Sequence, residues 1–366
     1  MKDMKIGDLC TYAPKSSIKA GEAISNGEYM FFTSSADENK RYSNYQLDCE
    51  AIIMGTGGNA TLHYYNGKFS TSTDCVVLIP NKHIRCKYLY YFFLYNMVTL
   101  ENGFKGAGLK HTNKNYISNI EIYNVPNIET QDKIIKVLDM AFGIKFYYQQ
   151  QLQELDELVK SRFIELFGAY PSNPKGWETA TIRDIVADVR YGSSRPAVDG
   201  GKYPYLRMNN ITYGGELDLT DTKRIDIPDN ELDKCTVRRG DVLFNRTNSK
   251  ELVGKTCVYN RDEMMVLAGF VIRVRVTERV LPEFLSAFLN TDFSKQMLLG
   301  MCKAAIGQAN INAKEMQNIG IYLPPTELQR QFVQFKEQTD KLKLAIQQSL
   351  EKLETLKKAL MQQYFG

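Results

Sequence analysis

The sequence predicts an α+β chain. Two α/β domains are joined and spaced by two long helices packed as an antiparallel coiled coil, the halves being an internal duplication about a pseudo-twofold. Three observations carry this expectation. The 366 residues repeat at an offset near 198 positions. Each copy changes texture at a proline, from a Gly-, Asn-, Thr- and Tyr-rich stretch to a nearly glycine-free one. After that proline, apolar residues step by three and four, as one face of a helix does.

The first domain is residues 1–126. Its short alternating runs, punctuated by turn residues, read as strands and turns with a few helices. Residues 50–56 give an acid, a β-type apolar run and a polar loop; residues 241–247 repeat that order. Residues 89–94 and 284–289 each read as a short amphipathic helix. The wider apolar stretch 88–100 falls short of the about 20 residues a bilayer span requires, so it is expected to pack a core.

The first long helix is residues 127–170, which contain no proline. Ile135, Leu138, Phe142, Tyr148, Leu152, Leu155 and Val159 make its stripe, and Pro171 and Pro174 end it. The second domain is residues 171–325. The second long helix, 326–366, follows Pro324-Pro325 with Thr326 as the expected cap. Leu152, Leu155 and Leu158 meet Leu350, Leu353 and Leu356 at 198 positions, and Phe167-Gly168 meets Phe365-Gly366. Upstream, residues 119–123 meet 318–322 at 199.

About 40 helical residues make a rod of roughly 60 Å, too long to be wrapped by one small domain. With one apolar stripe per rod, burial against the other copy is expected. The pairing residues are Ile135, Leu138, Leu152, Leu155 and Val159 on one rod. On the other they are Leu342, Ile346, Leu350, Leu353 and Leu356. A repeat near 200 residues is domain duplication, not a solenoid.

Composition excludes little by itself. A net charge of +4, from 46 basic and 42 acidic residues, does not announce a nucleic-acid partner. Seven cysteines stand singly, without metal or redox spacing, and read as buried thiols in a reducing cytoplasm. The N-terminus leads into no long apolar run, so neither a signal peptide nor a membrane partner is expected. Gly55-Thr56-Gly57-Gly58 lacks the Lys-Ser/Thr pair of a phosphate loop. No dinucleotide fingerprint follows Gly192 or Gly214-Gly215. Leu323-Pro324-Pro325-Thr326 lacks the acid or amide and the aromatic of an adenine methyltransferase string, and His63, His83 and His111 show no ligand spacing. No cofactor, no metal and no catalytic residue is expected.

The order of variable domain, long helix, variable domain, long helix resembles the specificity subunits of type I restriction–modification systems over essentially the whole chain. Several strings carry the resemblance: Pro174-Lys175-Gly176-Trp177, then Thr181-Ile182-Arg183-Asp184-Ile185, with Lys5-Ile6-Gly7-Asp8-Leu9 as the first-domain counterpart. Others are Tyr205-Leu206-Arg207-Met208-Asn209-Asn210-Ile211, and Arg239-Gly240-Asp241-Val242-Leu243-Phe244-Asn245-Arg246-Thr247-Asn248-Ser249 continuing to Leu252-Val253-Gly254-Lys255. The first domain departs from them, carrying Met54-Gly55-Thr56-Gly57-Gly58-Asn59 where the second has Asn245-Arg246-Thr247-Asn248-Ser249.

The resemblance implies a non-catalytic subunit whose two target-recognition domains read the halves of a bipartite double-stranded DNA site, with the helices as spacer. Two modification subunits dock on it, restriction subunits join them, and methyl transfer and cleavage belong to those partners. Two alternatives stay open: a coiled-coil assembly protein with protein-binding heads, and an orphan specificity subunit that retargets a neighbouring methyltransferase.

Base reading requires donors and acceptors on loops, with cations on phosphates. In the second domain the candidates are Arg207, Asn209 and Asn210, then Arg246, Asn248, Ser249 and Lys250, and finally Lys303, Gln308 and Asn310. In the first they are Gly57, Gly58 and Asn59 with His63, Tyr64 and Lys68, and a basic loop of Lys105, Lys110, His111 and Lys114. Each also has an ordinary explanation: Asn and Ser shape turns, and basic loops are solvated.

Overall fold

The computed structural model describes residues 2–106, 110–305 and 308–366. The chain divides into two compact units, one of residues 1–148 with 347–366 and the other of residues 149–346. Each unit holds one domain, the beginning of the helix that follows it and the end of the other long helix.

In the first unit a six-stranded sheet runs in the order Cys10–Tyr12, Cys75–Pro80, Leu47–Gly55, Leu62–Thr71, Tyr29–Phe32, Arg41–Tyr42 among the described residues. Its centre is the long antiparallel pair Leu47–Gly55 and Leu62–Thr71, which sets Ile52 opposite Tyr64 and Ile53 opposite His63. Successive side chains point to opposite faces of a strand. Ile52, Met54 and Leu78 accordingly join Tyr88, Leu89 and Phe92 in one cluster. Ala51, Ile53 and Val77 join Phe32 and Phe69 in another. Both faces are covered, which is why residues 51–54 read as an unbroken apolar run. The short helix Cys86–Tyr95 lies in the first cluster, together with Leu138 and Met361 of the long helices.

In the second unit, one four-stranded sheet has the order Val186–Tyr191, Val271–Val276, Val242–Asn245, Thr256–Val258. Another has the order Lys223–Ile225, Tyr203–Leu206, Met265–Leu267, Thr236–Val237. The short helix Pro282–Leu289, with proline in its first turn, buries Phe284, Leu285, Phe288 and Leu289. That face meets Phe163, Phe167 and Phe332 of the long helices.

The long helices span Ile128–Phe167 and Thr326–Phe365. The first is capped by Asn127, whose side chain accepts from the Thr130 amide at 2.9 Å. Gly168, in the left-handed region at φ 85°, follows its last residue, so the helix stops before the two prolines expected to stop it. Thr326 is the opening residue of its helix, and the Pro325 carbonyl accepts the Leu328 and Gln329 amides.

Segments of the two helices touch within each unit. In the first, Lys145 pairs with Glu354 at 2.7 Å, and Lys357 lies 4.8 Å over the ring of Phe142. In the second, Lys343 pairs with Asp156 at 2.7 Å, and the Phe163 and Phe332 rings are 5.3 Å apart. In both, numbering rises along one segment as it falls along the other.

Two expected pairing residues are corrected: Leu342 and Leu356 are 57% and 53% exposed. A sheltered stripe of the second helix runs through Thr339, Lys343, Ile346, Leu350, Leu353, Lys357 and Leu360, a repeat of about 3.5 residues. Lysines occupy two of them, because a lysine can bury its methylene stem and lead its ammonium out to an acid. On the first helix Leu138 is buried, while Ile135, Leu152, Leu155 and Val159 are half-buried. All seven cysteines are free thiols; Cys49 and Cys302 are half-buried and the other five buried. Among the described residues no helix is long and apolar enough to cross a membrane.

Candidate nucleic-acid interface

In the first unit the loop after the central strand meets the basic loop. Gly57 bridges His111, the Gly58 amide donates to the Lys110 carbonyl at 2.9 Å, and Lys105 and His111 exchange backbone bonds at 3.0 Å. Gly58 has φ 81° and its Cβ position faces open space, so glycine serves the backbone there. Asn59, Lys105, Lys110, His111 and Lys114 are exposed. Lys114 opens a short helix, with its ammonium 5.0 Å over the Tyr12 ring.

Three first-domain candidates fall away from this patch. His63 is 5% exposed, with one ring nitrogen 3.2 Å from Glu38 Oε1 and the other 3.3 Å from the Ser35 carbonyl. Tyr64, its strand neighbour, points to the opposite face, where its hydroxyl donates to Glu50 at 2.7 Å beside Tyr90. Lys68 is four residues beyond Tyr64 and six from the start of the strand at Leu62, about 20 Å from the loop at ~3.3 Å per residue. It lies over the Tyr45 ring instead. These three are close to Gly57-Gly58-Asn59 in sequence, but they lie on one long strand, Leu62–Thr71, that leads away from it.

The second unit repeats the juxtaposition with different chemistry. Thr247–Asn248 pairs with Gln308–Asn310, which pairs with Lys303–Ala305, making a three-stranded sheet. The Ile311 amide donates to the Arg246 carbonyl at 2.9 Å. The side chains of Lys303 and Gln308 lie outside the described residues; Asn310 is exposed. Ser249 and Lys250 are exposed, and the Asn248 carboxamide accepts the Ser249 amide at 2.9 Å.

The Arg246 guanidinium stacks 5.0 Å over Tyr191 and has one long bond, 3.4 Å, to the Gly269 carbonyl. Its Nε has no hydrogen-bond partner among the described residues. Arg207 is more engaged: it donates to the Asp221 carboxylate at 2.8 Å. Asn210 is corrected from base reader to structural cap. It is 2% exposed, accepts the Arg207 amide at 2.9 Å and donates to the Asp218 carbonyl at 2.8 Å. Asn209 remains exposed beside it.

The Arg207 and Arg246 clusters share a neighbour, the turn at residues 268–270. The Ala268 amide donates to the Leu206 carbonyl at 2.9 Å and the Arg246 amide to the Phe270 carbonyl at 3.0 Å. Lys255 ties them further, donating to the Met208 carbonyl at 3.0 Å, and burial pushes its amine below the ordinary lysine value. Tyr191 and Phe270, both exposed, border Arg246 and escaped the sequence reading. Their signal was only an aromatic beside a glycine, Tyr191-Gly192 and Gly269-Phe270.

The model of the type I restriction modification DNA specificity domain matches residues 1–156 and again 174–357. The chain belongs to that family. Its two matched stretches are two copies of the specificity domain, each containing one of the patches above. The specificity subunit of EcoKI from Escherichia coli strain K12 is 21% identical across 97% of this chain and 77% of its own length. The MjaVIII specificity subunit of Methanocaldococcus jannaschii is 24% identical across 98% and 90%. A putative MjaX specificity subunit from the same organism is 28% identical over 52% of this chain. That match spans 46% of the relative, about half its length.

Among solved structures, a type I S subunit from M. genitalium superposes with a TM-score of 0.66 at 14% identity, covering 100% of this chain and 96% of that one. A chain from a type I R-M assembly structure gives 0.57 at 17% identity, covering 100% and 97%. These likenesses show the fold of the family.

Proposed function

We propose that this specificity-family chain reads a bipartite, asymmetric DNA site, one half through each unit, and serves as a non-catalytic subunit. The supporting observation is a repeated juxtaposition: Gly57 and Gly58 bond His111 and Lys110 in one unit, and Thr247-Asn248 pairs with Ala309-Asn310 in the other. The frame is duplicated while the side chains differ. One copy offers glycines, Asn59 and lysines; the other offers a stacked, incompletely bonded Arg246 with Asn248, Ser249 and Lys250. A shared frame with unlike donors suits unlike half-sites.

In this reading the two long helices pair as an antiparallel coiled coil that sets the gap between half-sites. The repeated ion pairs favour it: Lys145 and Glu354 stand 198 residues from Lys343 and Asp156 respectively. The helices also dock two modification subunits, and restriction subunits join that complex. Exposed apolar residues recur at the same offset, Ile144, Phe146 and Leu158 matching Leu342, Leu344 and Leu356, as two copies of one partner would require. Methyl transfer and cleavage are the partners' chemistry.

The test is binding of the chain with its modification subunits to random duplexes, followed by sequencing of the bound pool at two salt concentrations. Two short enriched sequences at a fixed separation, with affinity falling steeply as salt rises, are expected. Salt-insensitive capture of proteins with no enriched duplex would favour the protein-binding alternative.

A further inference from the structure

The Lys343 side chain is 12% exposed on the second long helix and faces two carboxylates. Its amine donates to Asp156 Oδ1 at 2.7 Å and also to Glu216 Oε1. Burial alone would push the amine down; the two carboxylates outweigh that and hold it above the ordinary lysine value. Pairing the helices requires only the first of these bonds, as the repeated Lys145–Glu354 pair illustrates. Glu216 belongs to neither long helix. It sits in a loop of the second domain.

That loop is stiff. Ile211 bridges Leu217, the Thr212 amide donates to the Glu216 carbonyl at 2.9 Å, and the Glu216 amide returns to the Thr212 hydroxyl at 3.0 Å. Gly215 has φ 84°, and a Cβ there would lie 2.7 Å from the Thr256 carbonyl. The loop begins at Asn210, the buried cap that orders the Arg207–Asn209 cluster. Its other side is held by Lys295, which donates to the Tyr213 carbonyl at 2.7 Å and lies 3.5 Å over that ring. Burial pushes the Lys295 amine to about 8. The loop therefore links the helix pair to the reading cluster: Lys343 bonds Glu216, the Asp218 amide two residues on donates to the Asn210 carbonyl at 2.9 Å, and Asn210 accepts the Arg207 amide at 2.9 Å beside Asn209.

We propose that Lys343 is a positioning residue that couples the second domain's reading surface to the helix pair and so enforces the permitted gap between half-sites. This rests on the bipartite DNA reading above. A domain free to tilt on the helices would accept gaps one base pair longer or shorter. A domain held by the Lys343–Glu216 bond does not.

The experiment uses the full chain assembled with its modification subunits and duplexes whose gap is the preferred one or differs by one base pair, with each half-site also varied base by base. In E216Q, which leaves the Lys343–Asp156 pair in place, discrimination between gaps should fall about tenfold, as expected from neutralising one of the two carboxylates that hold a sheltered ammonium. K343M should fall at least as far and K343R should retain discrimination, while base preferences in both half-sites stay unchanged throughout. Gap discrimination within about twofold of the original in E216Q, or an equal loss on every duplex, would overturn the coupling. If K343M does not fold, E216Q alone decides. Should the unaltered complex show no site-specific binding at all, the DNA reading fails, and that result is distinct from a failure of Lys343.

Discussion

Gln131 and Gln329, 198 residues apart and each 0% exposed, make the same three hydrogen bonds in the two units. Gln131 donates to the carbonyls of Pro126 and His83 at 2.8 and 3.3 Å and accepts the Arg85 amide at 2.7 Å. Gln329 donates to the carbonyls of Pro324 and Arg279 at 2.8 and 3.2 Å and accepts the Leu281 amide at 2.8 Å. Each glutamine joins the start of a long helix to the chain entering the short helix packed beside it. The duplication extends to a buried polar clamp, not only to apolar periodicity.

Replacing either glutamine by alanine leaves buried backbone groups unpaired, at a cost of about 1–3 kcal/mol each. Urea unfolding of Q131A and Q329A should show losses of that size in both variants. A loss below about 0.5 kcal/mol, the range of ordinary surface substitutions, would contradict the clamp.

The second unit carries a pH-sensitive support at Asp188. Burial opposes its ionisation, but hydrogen bonds from Arg273 and Arg190, both at 2.8 Å, outweigh that and hold the carboxyl below the ordinary aspartate value. A carboxyl depressed in the folded state stabilises at pH above its unfolded value near 3.8 and loses that contribution as pH falls through the folded one. The unit should therefore unfold more readily as pH drops below about 4, and D188N should weaken that dependence while lowering stability at pH 7 by about 3 kcal/mol or more, because Arg273 is buried. An unchanged pH profile in D188N would contradict this assignment.

Two basic side chains should separate by role. Arg246→Ala is expected to relax one base position in one half-site, at about 1–3 kcal/mol, while Lys110→Ala weakens binding to all sequences alike and reduces the salt slope by about 1. A panel of single-base variants titrated at several salt concentrations measures both. Equal losses across all sequences in R246A would make Arg246 a phosphate contact.

What the sequence disclosed was periodicity. The two long helices were legible because apolar residues recur every three to four positions without a proline, and the short helices because their apolar faces are compact. Partners were not legible. Lys343 and Lys357 occupy sheltered helix positions that hydrophobicity assigned to Leu342 and Leu356, since a lysine's shelter depends on an acid elsewhere in the chain. His63 and Tyr64 are near Gly57-Gly58-Asn59 in sequence; the strand that turns their side chains away is visible only once its pairing with Leu47–Gly55 is known. Asn210 carries the amide of a base reader and is used as a cap, a distinction set by the carbonyls around it. The juxtaposition of the two loops in each unit was anticipated as two separate clusters, and their meeting depends on backbone bonds that leave no mark in composition.

Inserting seven residues near Gln150 keeps the helix face in register while adding about 10 Å to the rod, at ~1.5 Å per residue. The gap between half-sites should change and the bases in both should not. Altered bases with an unaltered gap would remove the helices from the role of ruler.

The most direct measurement is the methylation pattern of DNA in cells that express this chain with its modification subunits. Two short unlike sequences, always the same number of base pairs apart, are the expected result. A single continuous motif, or two identical halves, would contradict the assignment of one unlike half-site to each unit.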